Sequence, residues 1–247
     1  MIAKRINYIA AALLCLATVS CKEDTTIMYY NATMGNIVEG TFISDQGNIF
    51  NIAEQDESCN KNLLEMKRAY ILCDVLCKTE QGLENEYDIR LNAVADVLTK
   101  DIITLGTEAE EEKLVEDPIS IEHAWFSGGY INLYIVFAMK QNSQTPHLIN
   151  LVQQETDKGY LFRLTHNAYG EKLGDDTVWG AGYVSFPISS IITEESADIR
   201  LEWTFYKISG SIISQETERK SAETTYKKGG FEHAPKTAVK TTKAAVR

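Results

Sequence analysis

The feature that most restricts the fold is a hydrophobic period of two. Ile199, Leu201, Trp203 and Phe205 alternate with Arg200, Glu202, Thr204 and Tyr206, and Tyr160, Phe162 and Leu164 alternate with Leu161, Arg163 and Thr165. Successive side chains of a strand point to opposite faces, so this pattern belongs to half-buried β-strands; apolar residues of a helix recur every three to four positions. Ile119, Ile121, His123 and Trp125 continue it, followed by Ile131, Leu133, Ile135, Phe137 and Met139. Ser127-Gly128-Gly129 joins these two runs as a hairpin turn, because glycine accepts positive φ. Asp157-Lys158-Gly159 and Ser209-Gly210 read as further turns. About seven strands follow between Pro118 and Thr225, which suits an antiparallel sandwich.

The first half has the same habit. Candidate strands lie at 36–44, 48–53, 67–77 and 87–97, with a short one at 102–105. Asp45-Gln46-Gly47 turns between the first two, and Gly40 inside the first marks a bulge or sharp bend. Five short strands with a bend in the first suit a small closed barrel of the OB type. A helical turn fits within 54–64. The polar, acidic stretch that ends at Glu116-Asp117-Pro118 reads as a linker. The expected fold class is therefore all-β: a small OB-like barrel over 36–106, a linker over 107–117 and an antiparallel β-sandwich over 118–225. Residues 21–35 are expected to be a tether. Residues 226–247 are lysine-rich without an apolar period and are expected to form a disordered basic tail.

The start of the chain carries an address. Lys4 and Arg5 precede an apolar run from Tyr8 to Leu16, and Ala17-Thr18-Val19-Ser20 leads into Cys21. These are the parts of a secretory signal. The run is too short to span a bilayer, which takes about 20 apolar residues. Val19 and Ser20 ahead of Cys21 make 1–20 a lipoprotein signal peptide and Cys21 the lipidated residue; Thr18 stands where leucine is usual. Two or more acyl chains anchor stably where one does not. Lys22-Glu23-Asp24 resembles the short acidic export tag of surface lipoproteins of Bacteroidetes. The expected location is the outer membrane, lipid-anchored and facing the cell surface, with a periplasm-facing anchor as the alternative.

Charge narrows the partners. The chain is −11 overall; setting aside +2 in the leader and +5 in the tail leaves −18 over residues 21–225. Residues 27–117 alone carry −12. Such a body is repelled by phosphate backbones, which excludes nucleic acid as its partner. After Cys21 is lipidated, Cys59, Cys73 and Cys77 remain, too few to all pair, so no disulfide framework is implied. Cys73 and Cys77 share a strand face with Ile71 and Val75 and read as small buried hydrophobes.

Several segments in this order resemble the NigD-like lipoprotein family of Bacteroidetes. They are lipobox Cys21, the stretch Gly35-Asn-Ile-Val-Glu-Gly-Thr-Phe, Tyr87-Asp-Ile-Arg-Leu, Ile121-Glu-His-Ala-Trp-Phe-Ser-Gly-Gly-Tyr and Ile199-Arg-Leu-Glu-Trp-Thr-Phe. The resemblance implies an N-terminal OB-like domain and a C-terminal β-sandwich, and its origin in a bacteriocin gene cluster implies an immunity or accessory role. It brings no catalytic residue set. The long Lys/Thr/Ala tail is not part of the family pattern.

Catalytic signatures are missing from the sequence. His123, His147, His166 and His233 lie outside metal-ligand spacing of one another. His123 reads as a core or rim histidine beside Ile121 and Trp125, and His166 follows a strand near Asn167 and Tyr169, where it could line a surface site. There is no Gly-x-Ser-x-Gly and no phosphate-cradling loop; Gly180-Ala-Gly182 reads as close packing or a bulge. Asp175-Asp176 lack the alternating pattern of a calcium loop. Trp125, Phe126, Tyr130 and Tyr134 read as sheet packing, with a sugar- or protein-binding platform as the alternative. No catalytic, metal-binding or cofactor-binding residue and no cofactor are expected. The expected function is a non-enzymatic envelope lipoprotein that works as a binding or accessory module. Its expected partners are the bilayer, through acylated Cys21, and a protein or envelope ligand. The alternatives are a glycan-binding or glycan-processing surface lipoprotein and a structural envelope protein.

Overall fold

The computed structural model describes residues 30–57, 59, 63–79, 82–105, 114–209, 211–230 and 232. The signal peptide, Cys21, Lys22-Glu23-Asp24 and tail residues 233–247 lie outside the described residues.

Strands β1 (Tyr30–Val38), β2 (Thr41–Ser44), β3 (Ile49–Gln55), β4 (Arg68–Lys78) and β5 (Glu86–Thr99) pair in the order β3-β2-β1-β4-β5. β3 also runs parallel to β5, with Ile49 opposite Glu86 and Ile52 opposite Ile89. That last pairing closes a five-stranded barrel of the OB order. Phe42, Phe50, Ile71, Cys73, Ile89 and Leu91 fill its interior.

The barrel recruits its strands differently from expectation. The segment 36–44 is two strands: Val38 pairs with Thr41 across Glu39-Gly40, both at positive φ (50° and 82°). This is a two-residue hairpin turn whose twist matches the strands. β1 starts at Tyr30, inside the stretch expected to be tether. The 102–105 segment leaves the barrel. Its strand β6 (Ile103–Thr104) pairs with a strand of the second sheet. A single 3-10 turn at Leu63–Glu65 supplies the helical element expected between β3 and β4.

Seven strands follow: β7 (Ile119–Ser127), β8 (Tyr130–Lys140), β9 (Leu148–Gln154), β10 (Tyr160–Asn167), β11 (Thr177–Pro187), β12 (Ser196–Ser209) and β13 (Ile212–Lys227). β11, β8 and β7 form one face of a sandwich and β13-β12-β10-β9-β6 the other. Leu133, Phe137, Phe162, Phe186, Ile149 and Leu201 meet in its core. Most pairings are antiparallel, but β10 runs parallel to β12, with Tyr160 opposite Ile199.

β5 welds the two units. Val97, Leu98 and Thr99, at its end, pair in parallel with Tyr183, Val184 and Ser185 of β11. Barrel and sandwich thus share one eight-stranded sheet. The outer barrel wall then folds onto the outer face of β7, β8 and β11, giving three layers. Tyr70 stacks on Tyr183 at 4.6 Å, Tyr134 leans on the same ring at 5.0 Å, and Trp125 meets it edge-on at 6.3 Å. The end of the expected linker is also tied down: Asp117 N donates to His166 O at 2.8 Å and His166 N to Val115 O at 3.1 Å.

Two bulges change which face a residue takes. One between Ile121 and His123 sends Phe126 into the sandwich core and Trp125 into the barrel contact. His123 is exposed beside Tyr134 and is not a core histidine. The other, between Val75 and Cys77, leaves Cys73 buried and turns Cys77 outward, so only one of the two is a buried hydrophobe.

Candidate functional site

Two clusters of polar side chains are buried, and neither was visible as a motif. The first sits where barrel and sandwich meet. Arg68, the first residue of β4, is 1% exposed. Its Nη1 and Nη2 donate to Asp45 Oδ1 and Oδ2 at 2.7 and 2.6 Å. Nη1 also reaches Asn36 Oδ1, Nη2 reaches Asn132 Oδ1, and Nε reaches Ser185 Oγ, each at 3.0 Å. All five guanidinium N–H groups are therefore used, which is the condition for burying this cation. The Tyr130 ring lies 4.1 Å beneath its carbon.

The sandwich residues close the circuit. Ser185 Oγ donates to Asn132 Oδ1 at 2.6 Å, Asn132 Nδ2 to Ser127 Oγ at 3.0 Å, and Ser127 Oγ to Asp45 Oδ2 at 2.5 Å. Every donor points at an acceptor in one consistent direction. Gly128 completes the fit: a Cβ there would stand 2.4 Å from Asp45 Oδ1, and its φ is +59°.

The second cluster lies at the far end of β8, β9 and β10. His147 Nδ1 is 2.9 Å from His166 Nε2. His166 Nδ1 faces the carbonyl oxygens of Pro118 (3.1 Å) and Asp117 (3.3 Å). Carbonyls only accept, so His166 carries its proton on Nδ1 and accepts from His147 Nδ1–H through Nε2. His147 Nε2 is left turned toward Glu171 Oε2 at 3.3 Å, an ion-pair contact rather than a linear hydrogen bond. Glu171 also accepts from Lys140 N at 2.7 Å and from Ser143 Oγ.

Burial, and then the charge on His147, pushes the His166 imidazole down to about 4. Burial pushes the Glu171 carboxyl up, but the bonds from Ser143, Lys140 N and His147 outweigh it and leave it below its usual range. His166 is fully buried, so it does not line the surface site its sequence position suggested. The hairpin register would have revealed this cluster. Pairing β9 with β10 about the Asp157–Gly159 turn sets His166 opposite Ile149, two positions from His147.

The other expected residues stay apart. Asp175 and Asp176 are exposed. Trp125 and Phe126 are buried on opposite faces, Tyr130 caps Arg68, and Tyr134 packs on Tyr183. No group of three or more metal-ligating side chains converges among the described residues. Cys73 is buried, and burial followed by Asp74 pushes its thiol up to about 12, which suppresses the thiolate. An open groove of about 480 Å³ runs over the starts of β10 and β12, edged by Lys158, Tyr160, Asp198, Arg200 and Glu223.

Solved structures share this architecture. A protein described as toxin-related from Parabacteroides distasonis ATCC 8503 is 23% identical with a TM-score of 0.56, over 80% of this chain and 93% of that one. A protein of unknown function from Bacteroides vulgatus ATCC 8482 is 18% identical with a TM-score of 0.57, over 80% and 91%. A protein described as a lipoprotein from Bacteroides fragilis NCTC 9343 is 16% identical with a TM-score of 0.55, over 79% and 96%. At these identities the likeness is one of fold. No curated protein matches the chain. Residues 101–218 match the NigD-like C-terminal beta sandwich domain, and the match begins just ahead of β6, the strand that the structure assigns to the second sheet. Over those residues the chain carries a NigD-like C-terminal beta sandwich domain.

Proposed function

We propose that the protein is a non-enzymatic envelope lipoprotein, anchored by acyl chains on Cys21, that serves as a rigid binding or accessory module, with bacteriocin-related immunity as its specific role. The observation that carries this reading is how the convergent polar groups are spent. Arg68, Asp45, Asn132 and Ser185 are consumed by one another at the junction, and His147, His166 and Glu171 are sealed behind β8–β10. The first cluster fixes the barrel on the sandwich, the second ties β8–β10 to the segment ahead of β7, and what is offered outward is surface. The toxin-related and lipoprotein descriptions of similar folds lean the same way. Lys22-Glu23-Asp24 supports export to the cell surface in preference to a periplasm-facing anchor.

The test is a deletion strain complemented with the parent chain or with Cys21→Ser, challenged with bacteriocin-containing supernatants of neighbouring strains. Immunity predicts that deletion sensitises the cells, that the parent restores resistance and that Cys21→Ser does not. Unchanged sensitivity on deletion removes the role. Surface display is checked by protease treatment of intact cells. Replacing Lys22-Glu23-Asp24 by alanines should protect the protein from digestion.

Glycan binding is the second reading, and the groove at Tyr160 favours it. A tyrosine beside Asp198, Arg200 and Glu223 suits a sugar's mixture of apolar face and hydroxyls. A polysaccharide array without a hit that Tyr160→Ala abolishes would end it.

A further inference from the structure

Strand register places three features at one end of the molecule. Tyr30, the first residue of β1, pairs with Asp74, which pairs with Arg90. Val97, further along β5, pairs with Tyr183 of parallel β11. Counting the same distance back along β11 brings Tyr30 level with the residue just before Thr177. Trp179 therefore lies near the height at which the chain enters the fold. In the opposite sheet, Tyr226 packs on Phe126 at one end, and Phe205 packs on Trp179 at the other, ring to ring at 6.4 Å. β12 thus descends toward Trp179, and its hairpin with β13 projects past it.

The projecting tip is apolar. Ile208 is 53% and Ile212 69% exposed, and Trp179, against Phe205 of β12, is 40% exposed. Ile208 pairs with Ile213, which packs on the small cluster of Ala138, Phe205 and Tyr206 that supports the tip. Eight residues separate Cys21 from Tyr30, a reach of about 30 Å at most. We propose that the β12–β13 tip, together with Trp179, rests on the lipid surface in which Cys21 is anchored, so that the molecule stands on the bilayer at two points and presents the Gly128-Gly129 end outward.

The residue chemistry suits this partner. Isoleucines enter the acyl boundary, and tryptophan sits at headgroup level with its ring half apolar and its N–H wet. Lys207 stands next to the tip with its ammonium paired to Glu216. Beside the Arg90–Glu54 ion pair, the barrel's corresponding end carries Glu86 and Asp88. These, with exposed Asp175 and Asp176 just ahead of β11, repel an anionic surface, so the contact favours zwitterionic lipid.

This proposal rests on the reading of Cys21 as lipidated, and the experiment separates the two. The full lipidated chain is reconstituted in phosphatidylcholine vesicles with and without brominated phosphatidylcholine, whose bromine quenches tryptophan at contact range. Trp179→Phe supplies the background from Trp125 and Trp203. Docking predicts that brominated lipid lowers the Trp179 emission about twofold. Ile208→Ser with Ile212→Ser should abolish the quenching, and anionic lipid should weaken it. Trp179 emission indifferent to brominated lipid overturns the proposal, as does undiminished quenching in the double variant. A concentration-dependent dimer abolished by the same double variant also overturns it and assigns the tip to a second copy. Intact mass reports acylation of Cys21 independently. A chain without acyl groups ends the anchoring reading. Docking is then judged on a Cys77→Ser chain beginning at Cys21 and coupled there to a maleimide lipid, with the same quenching readout.

Discussion

The two buried clusters solve the same problem in different ways. At the junction, a permanently charged guanidinium meets a carboxylate and three neutral acceptors, and each of its protons has one place to go. Behind β8–β10, two imidazoles in contact meet a carboxylate, and the protonation of His166 and Glu171 is set by their surroundings. The first arrangement carries information about geometry: it accepts one orientation of barrel on sandwich. The second carries information about acidity, because His166 stays buried only while neutral. A fold can therefore hold one buried charge as a fixed rivet and another as a titratable one, and the choice of arginine over histidine decides which.

The largest expected effect comes from breaking the rivet. Arg68→Met leaves Asp45 buried with its ion-pair partner removed and should cost about 3–5 kcal/mol. Urea unfolding should show the loss in a single transition, because β5 belongs to both units. Arg68→Met with Asp45→Leu should recover most of that loss, since an apolar pair of similar volume removes the stranded charge. If the single variant lost less than the double, the cluster would be surface-like in energy and the contrast with the histidines would collapse.

The histidine cluster should reveal itself through pH. An unfolded imidazole titrates near 6.5, while His166 in the fold is held at about 4. Between these values the unfolded chain takes up a proton that the folded chain refuses. The stability due to neutral His166 is complete above pH 6.5 and is lost as pH falls to 4, by about 3 kcal/mol in all. Denaturant midpoints at pH 7 and 4.5 should differ accordingly in the parent and much less in His166→Gln. An equal slope in both would place the acid sensitivity elsewhere.

These clusters also mark where sequence reading stops. Alternation along β8, β10 and β12 revealed the strands and their buried faces, because burial of one face is a local requirement. Ser127-Gly128-Gly129 revealed its hairpin for the same reason. The bulge before His123 left no local trace, since one extra residue turns every later side chain over. Membership of a sheet was equally hidden: β6 looks like any short strand, and only its partner β9 shows that it belongs with the sandwich. Arg68 at the start of an apolar run and Asp45 in a turn each look ordinary. Their pairing is set by how the barrel lies on β8 and β11, which is long-range information. The histidines were within reach, because their contact follows from the β9–β10 register.

A smaller test of the junction is Gly128→Ala. The position needs φ near +59°, and a methyl group would press on Asp45. Left-handed backbone costs a non-glycine residue about 1–2 kcal/mol, and the push on Asp45 adds to it. The same substitution at Gly40, also at positive φ but with open space around it, isolates the backbone part. Thermal melts should rank Gly128→Ala below Gly40→Ala. Equal melts would mean that Asp45 yields, and that the rivet is softer than its hydrogen bonds suggest.

The smallest effect sharpens the titratable side of the contrast. Ser143 Oγ is the strongest influence holding the Glu171 carboxyl down against burial, ahead of Lys140 N and His147. Ser143→Ala should therefore raise that carboxyl, because the bond that does most to hold it down is lost. The lost hydrogen bond should cost about 1 kcal/mol at neutral pH. Its sign in acid is fixed by linkage: a carboxyl held low stabilises the fold above its unfolded value and loses that contribution as pH falls through its folded value. Raising the folded value brings the loss on at higher pH. A carbon-13 titration of the Glu171 carboxyl should show the shift directly, while the signals of Arg68 and Asp45 stay in place. Movement at Arg68 would mean that the two clusters communicate through β8, and that the fixed and titratable charges are parts of one device.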